Sequence, residues 1–570
     1  MKRPPAGRLI ALFVGMTLAL GGIVIRLAFL QVRESGTYAA LGVEQRLRTE
    51  QLTATRAQIL DRTGSPLAIT LEARDVYADP ELVTDPAGEA VQLATALGLK
   101  SKDVASKLAT PGSRFVYIAR GVDLDVAATV EALELPGIGL LASEKRHYPA
   151  GALAAQVVGV VNVDGLGITG LEKQYDLPLA GVPGVRTVEL SAMGQEIAGG
   201  VQADEASQPG EDLELTIDRQ IQFLAQQYLR QAVHRNHARG GTVIVMDPHT
   251  GDIYAMANYP TFDPNDFTNV DPSRLVNRAV TDTWEPGSVN KMITAAAALE
   301  SGSVSPIERL TVPATRDIEG YTIHDAEPHA TEKMTLGDII AHSSNVGISM
   351  VADRVGNERL QRTFSDFGFG SPTGVGFPGE AAGLMPASTD WSDITRATVS
   401  FGAGVAVSPL QMATVYATIA NAGVSVSPRL VRATVSSDGG RTELAAADQH
   451  RVLSTETADL LTRMLAYVVR DGTGYNAQIP GYQVAGKTGT AKKIDEQGNY
   501  TNRYVASFIG FLPASKPRVV VAAILDEPDT IYGGVAAAPL FQHVARYTIQ
   551  RLGLEPGVPV GLPPRALAAP

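Results

Sequence analysis

The longest apolar stretch of the chain runs from Leu9 to Ile25 and resumes beyond Arg26 with Leu27, Ala28, Phe29 and Leu30. With the Arg26 side chain snorkelling to the interface, about 20 residues are available to cross a hydrocarbon core of about 30 Å. A cleaved signal peptide is the alternative, but its apolar core is normally about 7–15 residues, and no A-x-A site follows the stretch directly. An uncleaved anchor over residues 9–30 is therefore expected, behind a short tail of residues 1–8. Lys2, Arg3 and Arg8 precede the span with no matching basic density just after it, which orients the tail toward the cytoplasm. Everything beyond about residue 30 is then expected outside the cytoplasmic (inner) membrane, on a single-pass protein.

From residue 31 to about 208, short β-rich runs such as Phe115 to Ala119 alternate with helical runs such as Leu124 to Leu133, the pattern of an extended α+β module. Between Gly199 and Gly210 periodicity gives way to Gly, Ala, Ser, Gln, Asp and Glu, which reads as a linker or exposed hairpin and places the main domain boundary there. Leu213 to Ile217 then alternates as a strand and Arg219 to Val233 is amphipathic at helical spacing. Thr242 to Met246 and Ile253 to Ala257 flank Asp247-Pro248-His249-Thr250-Gly251 as a hairpin. Val519 to Leu525 is a further apolar strand, Ala538 to Arg551 a helix, and residues 552–570 a Pro-rich tail expected to be disordered or loosely laid on the surface. The expected fold class is α+β, with a sheet built beside helices over residues 209–551.

Composition narrows the function classes. The 570 residues, 45% of them hydrophobic, suffice for two or three domains. The net charge of -12 is spread along the chain and no basic run is interleaved with aromatics, so nucleic acid is not an expected partner. The absence of cysteine excludes disulfides, thiolate metal clusters and a cysteine nucleophile, and it permits export. His234 and His237 form H-x-x-H without an accompanying Glu-bearing zinc motif, and read as solvated positions on a helix; no metal and no cofactor are expected.

Candidate chemistry begins at Trp284-Glu285-Pro286-Gly287, a turn signal after which Ser288 to Glu300 reads as a helix ended by Gly302, with Ser288 in its first turn. Residues at i and i+3 share a helix face, so the Lys291 amine can reach the Ser288 hydroxyl, and the positive helix N-terminus favours negative charge on that oxygen. Taken alone, S-x-x-K is an ordinary solvated pair. Here it is the only one in the chain, and it is followed by Ser343-Ser344-Asn345 and by Lys487-Thr488-Gly489-Thr490. Ser343 and Asn345 lie between two helical stretches, Leu336 to His342 and Val346 to Val355, where side chains face a cleft. Lys487 to Thr490 continues a strand from Tyr482 to Ala485, and Gly489 is expected to leave one groove wall bare for an approaching peptide backbone.

A rival from another class uses the same residues: Gly481-Tyr-Gln-Val-Ala-Gly486-Lys487-Thr488 satisfies the phosphate-loop pattern of a nucleotidase. That loop needs a preceding buried strand and a following helix, whereas Pro480 weakens the first and Gly489 the second.

The order and spacing of the three motifs resemble the signature of penicillin-binding proteins and serine β-lactamases. Arg56-Ala-Gln-Ile-Leu-Asp61-Arg62-Thr-Gly64, Arg146-His-Tyr148-Pro149, Gly167-Ile-Thr-Gly170-Leu171-Glu172, Phe401-Gly402-Ala-Gly404, Ser408-Pro409-Leu410-Gln411 and Tyr532-Gly533-Gly534 extend the likeness over nearly the whole length. The chain resembles a class B penicillin-binding protein, a monofunctional peptidoglycan D,D-transpeptidase of the division type. It departs from the usual pattern at Ala57, where Gly is common, Trp284, where Tyr is common, and Asn290, where an apolar residue is usual.

The resemblance implies a dimerisation-type pedestal over 31–208 and a transpeptidase domain over 209–551, in which an antiparallel sheet is flanked by helices. It implies Ser288 as nucleophile, Lys291 as its base, Ser343 as proton relay to the leaving amine, and Asn345 as the residue orienting Lys291. Lys487, Thr488 and Thr490 would hold a substrate carboxylate, and the Ser288 and Thr490 N–H groups would form the oxyanion hole. Implied partners are peptidoglycan stem peptides, β-lactam antibiotics, the membrane, and a SEDS-type glycosyltransferase with divisome proteins. An elongation-type transpeptidase and a non-catalytic scaffold remain open, and no E-x-x-L-N segment offers the water-activating Glu of class A β-lactamases.

Overall fold

Ala6–Val32 forms one continuous helix of 27 residues whose side chains are exposed along its length. At 1.5 Å per residue it is about 40 Å long, enough to cross a membrane with some tilt. The computed structural model describes residues 6–33, 36, 42, 46–191, 197, 202–445, 447–495 and 497–563. The start of the expected linker (residues 199–201) and the end of the expected tail (564–570) lie outside the described residues, as do residues 1–5.

Two compact units divide the chain, one made of Met1–Thr55 with Gly181–Pro209 and the other of Arg56–Ala180 with Gly210–Pro570. The first carries a three-stranded antiparallel sheet in which Gly184–Glu189 lies between Leu47–Leu52 and Gln202–Glu205. One boundary between the units thus falls at Pro209/Gly210, and two more fall at Thr55/Arg56 and Ala180/Gly181. Arg56–Ala180 joins the larger unit because Ile59–Leu60 pairs in parallel with Asp212–Leu215, which continues to Val431–Val435 in the same sheet.

The family-like segments of this region form a buried ionic joint. Glu172, with no exposed surface, accepts from Arg56 Nε at 2.8 Å and from Arg146 Nε at 2.7 Å, while Arg56 also reaches Asp176 at 2.8 Å. Asp61 closes its turn by accepting the N–H groups of Thr63 and Ser65, and Arg62 stacks over the Tyr254 ring at 4.5 Å.

Within the larger unit, residues 219–552 are built around a five-stranded antiparallel sheet. Its elements in chain order are α1 (Arg219–Arg235), β1 (Gly240–Met246), β2 (Ile253–Tyr259), α2 (Lys291–Glu300), α3 (Asn345–Val355), α4 (Pro409–Ala420), α5 (Thr455–Asp471), β3 (Ala485–Ile494), β4 (Tyr500–Leu512), β5 (Val519–Asp526) and α6 (Gly533–Leu552). The strand order is β2-β1-β5-β4-β3, which leaves β3 as an edge. Strand β5 is buried on both faces, and the period of two sorts its residues: Val519, Val521, Ala523 and Leu525 pack against α1 and α6, Val520, Ala522 and Ile524 against the helices opposite. That double burial explains why β5 reads as an unbroken apolar run.

Helix α6 starts at Gly533, earlier than the expected Ala538, and carries Pro539 inside it. The tail is anchored where it is described: Tyr482 Oη donates to the Leu554 carbonyl at 2.6 Å, and Gln483 exchanges two hydrogen bonds with the Val560 backbone.

Candidate active site

Gly287–Asn290 is a single 3₁₀ turn, and the α-helix proper begins only at Lys291. Ser288 therefore stands in the 3₁₀ turn that feeds the helix, where side chains at i and i+3 eclipse, so Lys291 rises from directly above it. Neighbouring elements clamp this turn. The Gly287 N–H donates to the Gly402 carbonyl at 3.1 Å, the Tyr416 hydroxyl of α4 donates to the Val289 carbonyl at 3.0 Å, and Asn290 Nδ2 donates to the Val399 carbonyl at 3.0 Å. The departure at Asn290 is thereby accounted for as a buried tie to the helix Asp393–Ser400. Ser408 and Gln411 form the capping box that starts α4, so that family-like segment is helix-start chemistry.

The spacing of Ser288 and Lys291 suggests a direct hydrogen bond; the structure routes it through Ser343. The Lys291 amine donates to the Ser343 carbonyl and, at 3.2 Å, to Ser343 Oγ. Ser343 Oγ in turn donates to Ser288 Oγ at 2.9 Å. Ser343 reaches this position in the left-handed backbone region, with φ of 59°, between Leu336–Ala341 and α3. Asn345 sits beside the relay but its side chain donates to the His324 carbonyl at 3.1 Å, not to Lys291.

Both lysines are fully buried at 0% exposure. Burial, and then the charge of Lys487, hold the Lys291 amine well below the usual lysine range, against a weaker upward pull from Asp325. Burial alone lowers Lys487 to about 7. Among the described residues its amine reaches only the carbonyl and hydroxyl of Thr488, each at 3.3 Å, so this cation lacks a carboxylate. Thr488 Oγ1 is held 2.7 Å from Thr473 Oγ1, and Thr490 Oγ1 accepts the Gly533 N–H at 3.3 Å.

Lys487 to Thr490 lies inside the edge strand β3, with Lys487 paired to Ile509 and Thr490 to Ala506 of β4. A strand that continues as a strand offers no phosphate loop opening a helix, which removes the nucleotidase reading. The expected role of Gly489 is corrected. A Cβ there would come within 2.3 Å of Ser507 Oγ, 3.1 Å of Val289 Cγ1 and 3.2 Å of the Pro286 carbonyl. The glycine makes room for Ser507 of the paired strand and lets β3 close onto the turn that carries Ser288. His234 and His237 are partnered by the Tyr259 hydroxyl and Asp529.

Sequence reasoning missed Tyr416, Thr473 and Asp325. Thr473 had a signal, a hydroxyl between Gly472 and Gly474; Tyr416 and Asp325 had none, because each acts across a tertiary contact.

A serine hydroxyl linked through a second hydroxyl to a buried, weakly charged amine, facing a free cation on a sheet edge, defines a serine-type acyltransferase. The penicillin-binding protein transpeptidase domain model matches residues 241–546 and the penicillin-binding protein dimerisation domain model residues 51–215. The chain is 38% identical over 573 residues to penicillin-binding protein PbpB of Mycobacterium tuberculosis, covering 94% of this chain and 84% of that protein. It is 36% identical over 548 residues to the peptidoglycan D,D-transpeptidase FtsI of Escherichia coli, covering 95% and 91%. Penicillin-binding protein 3 of M. tuberculosis, solved in complex with aztreonam, superposes with a TM-score of 0.71 at 36% identity over 90% of this chain and 100% of that one. The chain belongs to the class B penicillin-binding proteins, the peptidoglycan D,D-transpeptidases of the FtsI and PbpB type. Its N-terminal apolar helix fits a single-pass membrane protein.

Proposed function

We propose that Ser288 attacks the carbonyl between the last two D-alanines of one stem peptide, with Lys291, Ser343, Asn345 and Lys487 as the catalytic set. A bond forms from Ser288 Oγ to the carbonyl carbon, the amide C–N bond breaks, and D-alanine leaves with the proton delivered by Ser343. A second peptide's amine then attacks the ester, gives up its proton through the same relay, and releases Ser288 with a new cross-link. Lys487, Thr488 and Thr490, with Gly489 behind them, receive the donor's terminal carboxylate, and the Ser288 and Thr490 N–H groups take the oxyanion.

The observation that carries this reading is the Lys291–Ser343–Ser288 hydrogen-bond relay opposite a buried lysine that has no counterion among the described residues. Fluorescent penicillin labelling of the wild type and of Ser288→Ala tests it: one adduct on the Ser288 peptide is expected, and an adduct elsewhere sinks it.

The role we propose is septal wall synthesis, which the likeness to FtsI and PbpB supports, with elongation as the alternative; midcell enrichment of a fluorescent fusion distinguishes the two. The pedestal (31–208) and transpeptidase domain (209–551) are assigned to the outer face of the cytoplasmic membrane, docked to a SEDS-type glycosyltransferase and divisome proteins.

A further inference from the structure

Asp325 follows the hairpin formed by Thr315–Ile318 and Tyr321–His324 and lies at the start of α3. Its Oδ1 accepts the N–H groups of Asn345 at 2.6 Å and Val346 at 2.9 Å, and its Oδ2 pairs with His329 Nε2 at 3.0 Å. The side chain is 7% exposed, and among the described residues its polar contacts are with His329, Asn345 and Val346. The loop it grips at Asn345 is the loop that, two residues earlier at Ser343, grips the Lys291 amine through a carbonyl and a hydroxyl. A carboxylate on the first N–H groups of a helix is favourably placed in its own right, so the clamp is stable before any ligand arrives.

We propose that Asp325 is a positioning residue for acylation: it fixes the Ser343–Asn345 loop against Lys291 and supplies the negative charge that offsets Lys487 at that amine. The proposal rests on Ser288 being the acylated group. The charges facing Lys291 are Lys487 from β3 and Asp325 from the segment after the hairpin. Asp325 faces His329, and His329 also faces Glu332. Burial works against a charged His329 ring, but the Ala330 carbonyl and Asp325 outweigh it and raise the ring above the ordinary histidine value.

The test is the second-order rate of fluorescent penicillin acylation as a function of pH, on the full-length chain in detergent. Asp325→Asn keeps an oxygen for the two N–H groups and removes the charge together with the acceptor that faces His329 Nε2; its rising limb is expected about one pH unit lower than wild type. His329→Gln keeps the carboxylate, and its limb is expected at the wild-type position or higher. Asp325→Ala releases the loop, and its plateau rate is expected about 10- to 100-fold lower. A limb that drops in both charge variants or in neither, or an Asp325→Ala plateau equal to wild type, overturns the proposal. Absence of wild-type labelling would overturn the acyl-enzyme reading itself, whereas normal wild-type labelling with an unmoved Asp325→Asn profile removes this inference alone.

Discussion

Ser343 Oγ donates to Ser288 Oγ across 2.9 Å, so the proposed nucleophile at rest receives a hydrogen bond from the residue proposed to take its proton. Activation requires the relay to turn round: a neutral Lys291 accepts from Ser343, and Ser343 then accepts from Ser288. A neutral amine can do this while still donating to the Ser343 carbonyl, so no side chain has to leave its place.

Ser343→Ala should slow acylation about 10²- to 10⁴-fold, the range for a lost proton-transfer group. Ser343→Gly should be as slow yet melt at a higher temperature, because glycine adopts φ of 59° without strain. Stopped-flow acylation and thermal melts of both variants check this; an active Ser343→Gly enzyme would show that the hydroxyl is dispensable.

Lys487→Gln removes the cation that helps to hold Lys291 low, so the Lys291 amine takes up its proton more readily. The rising limb of acylation should move to higher pH, by about one unit or more. A profile that stays in place assigns the lowering of Lys291 to burial alone.

Stability should respond to the same lysine. Its amine sits at about 7 when folded against about 10.4 in the unfolded chain, so the unfolded state binds more protons between these values. Wild-type stability therefore climbs as pH rises from about 7 toward about 10, and below that window the full cost of the buried charge is present. Lys487→Met should raise the melting temperature most at and below neutral pH, with the advantage fading toward about pH 10, while losing acylation.

Gly489→Ala drives a methyl group into Ser507 Oγ, a buried oxygen that has no hydrogen-bond partner among the described residues. A loss of about 1–3 kcal/mol and slower acylation are expected. Adding Ser507→Ala should recover part of both, and strictly additive effects in that double-mutant cycle would contradict the contact.

Glu172→Gln leaves Arg56 and Arg146 buried around a neutral amide. A destabilisation of about 3–5 kcal/mol is expected in denaturation of the full chain, with the acylation rate of the folded fraction unchanged.

Much of this was legible in the sequence, and the exceptions share a cause. Strands β1 and β5 and helix α1 followed from period and turn residues, because each buries the faces its pattern marks. Ser288, Lys291 and Lys487 followed from motif order. The path of the proton did not, since it depends on Ser343 arriving from another helix pair, and spacing along one chain segment carries no information about that approach. Gly489 was misread for the same reason: a missing side chain reveals that something comes close, but only the packed structure shows that it is Ser507, with Val289 and Pro286 next. Asp325 was silent because a single acidic residue after a hairpin looks like any solvated turn position.

The strap formed by residues 554–563 is fastened to Tyr482 and Gln483, and Gln483 lies two residues ahead of the strand that bears Lys487. Tension applied to the chain would pass from Pro563, packed beside Gly337, to Val560 and so to the root of that strand. This strap is thus a mechanical handle on the strand that bears Lys487, and an epitope or reporter placed beyond it would load that strand.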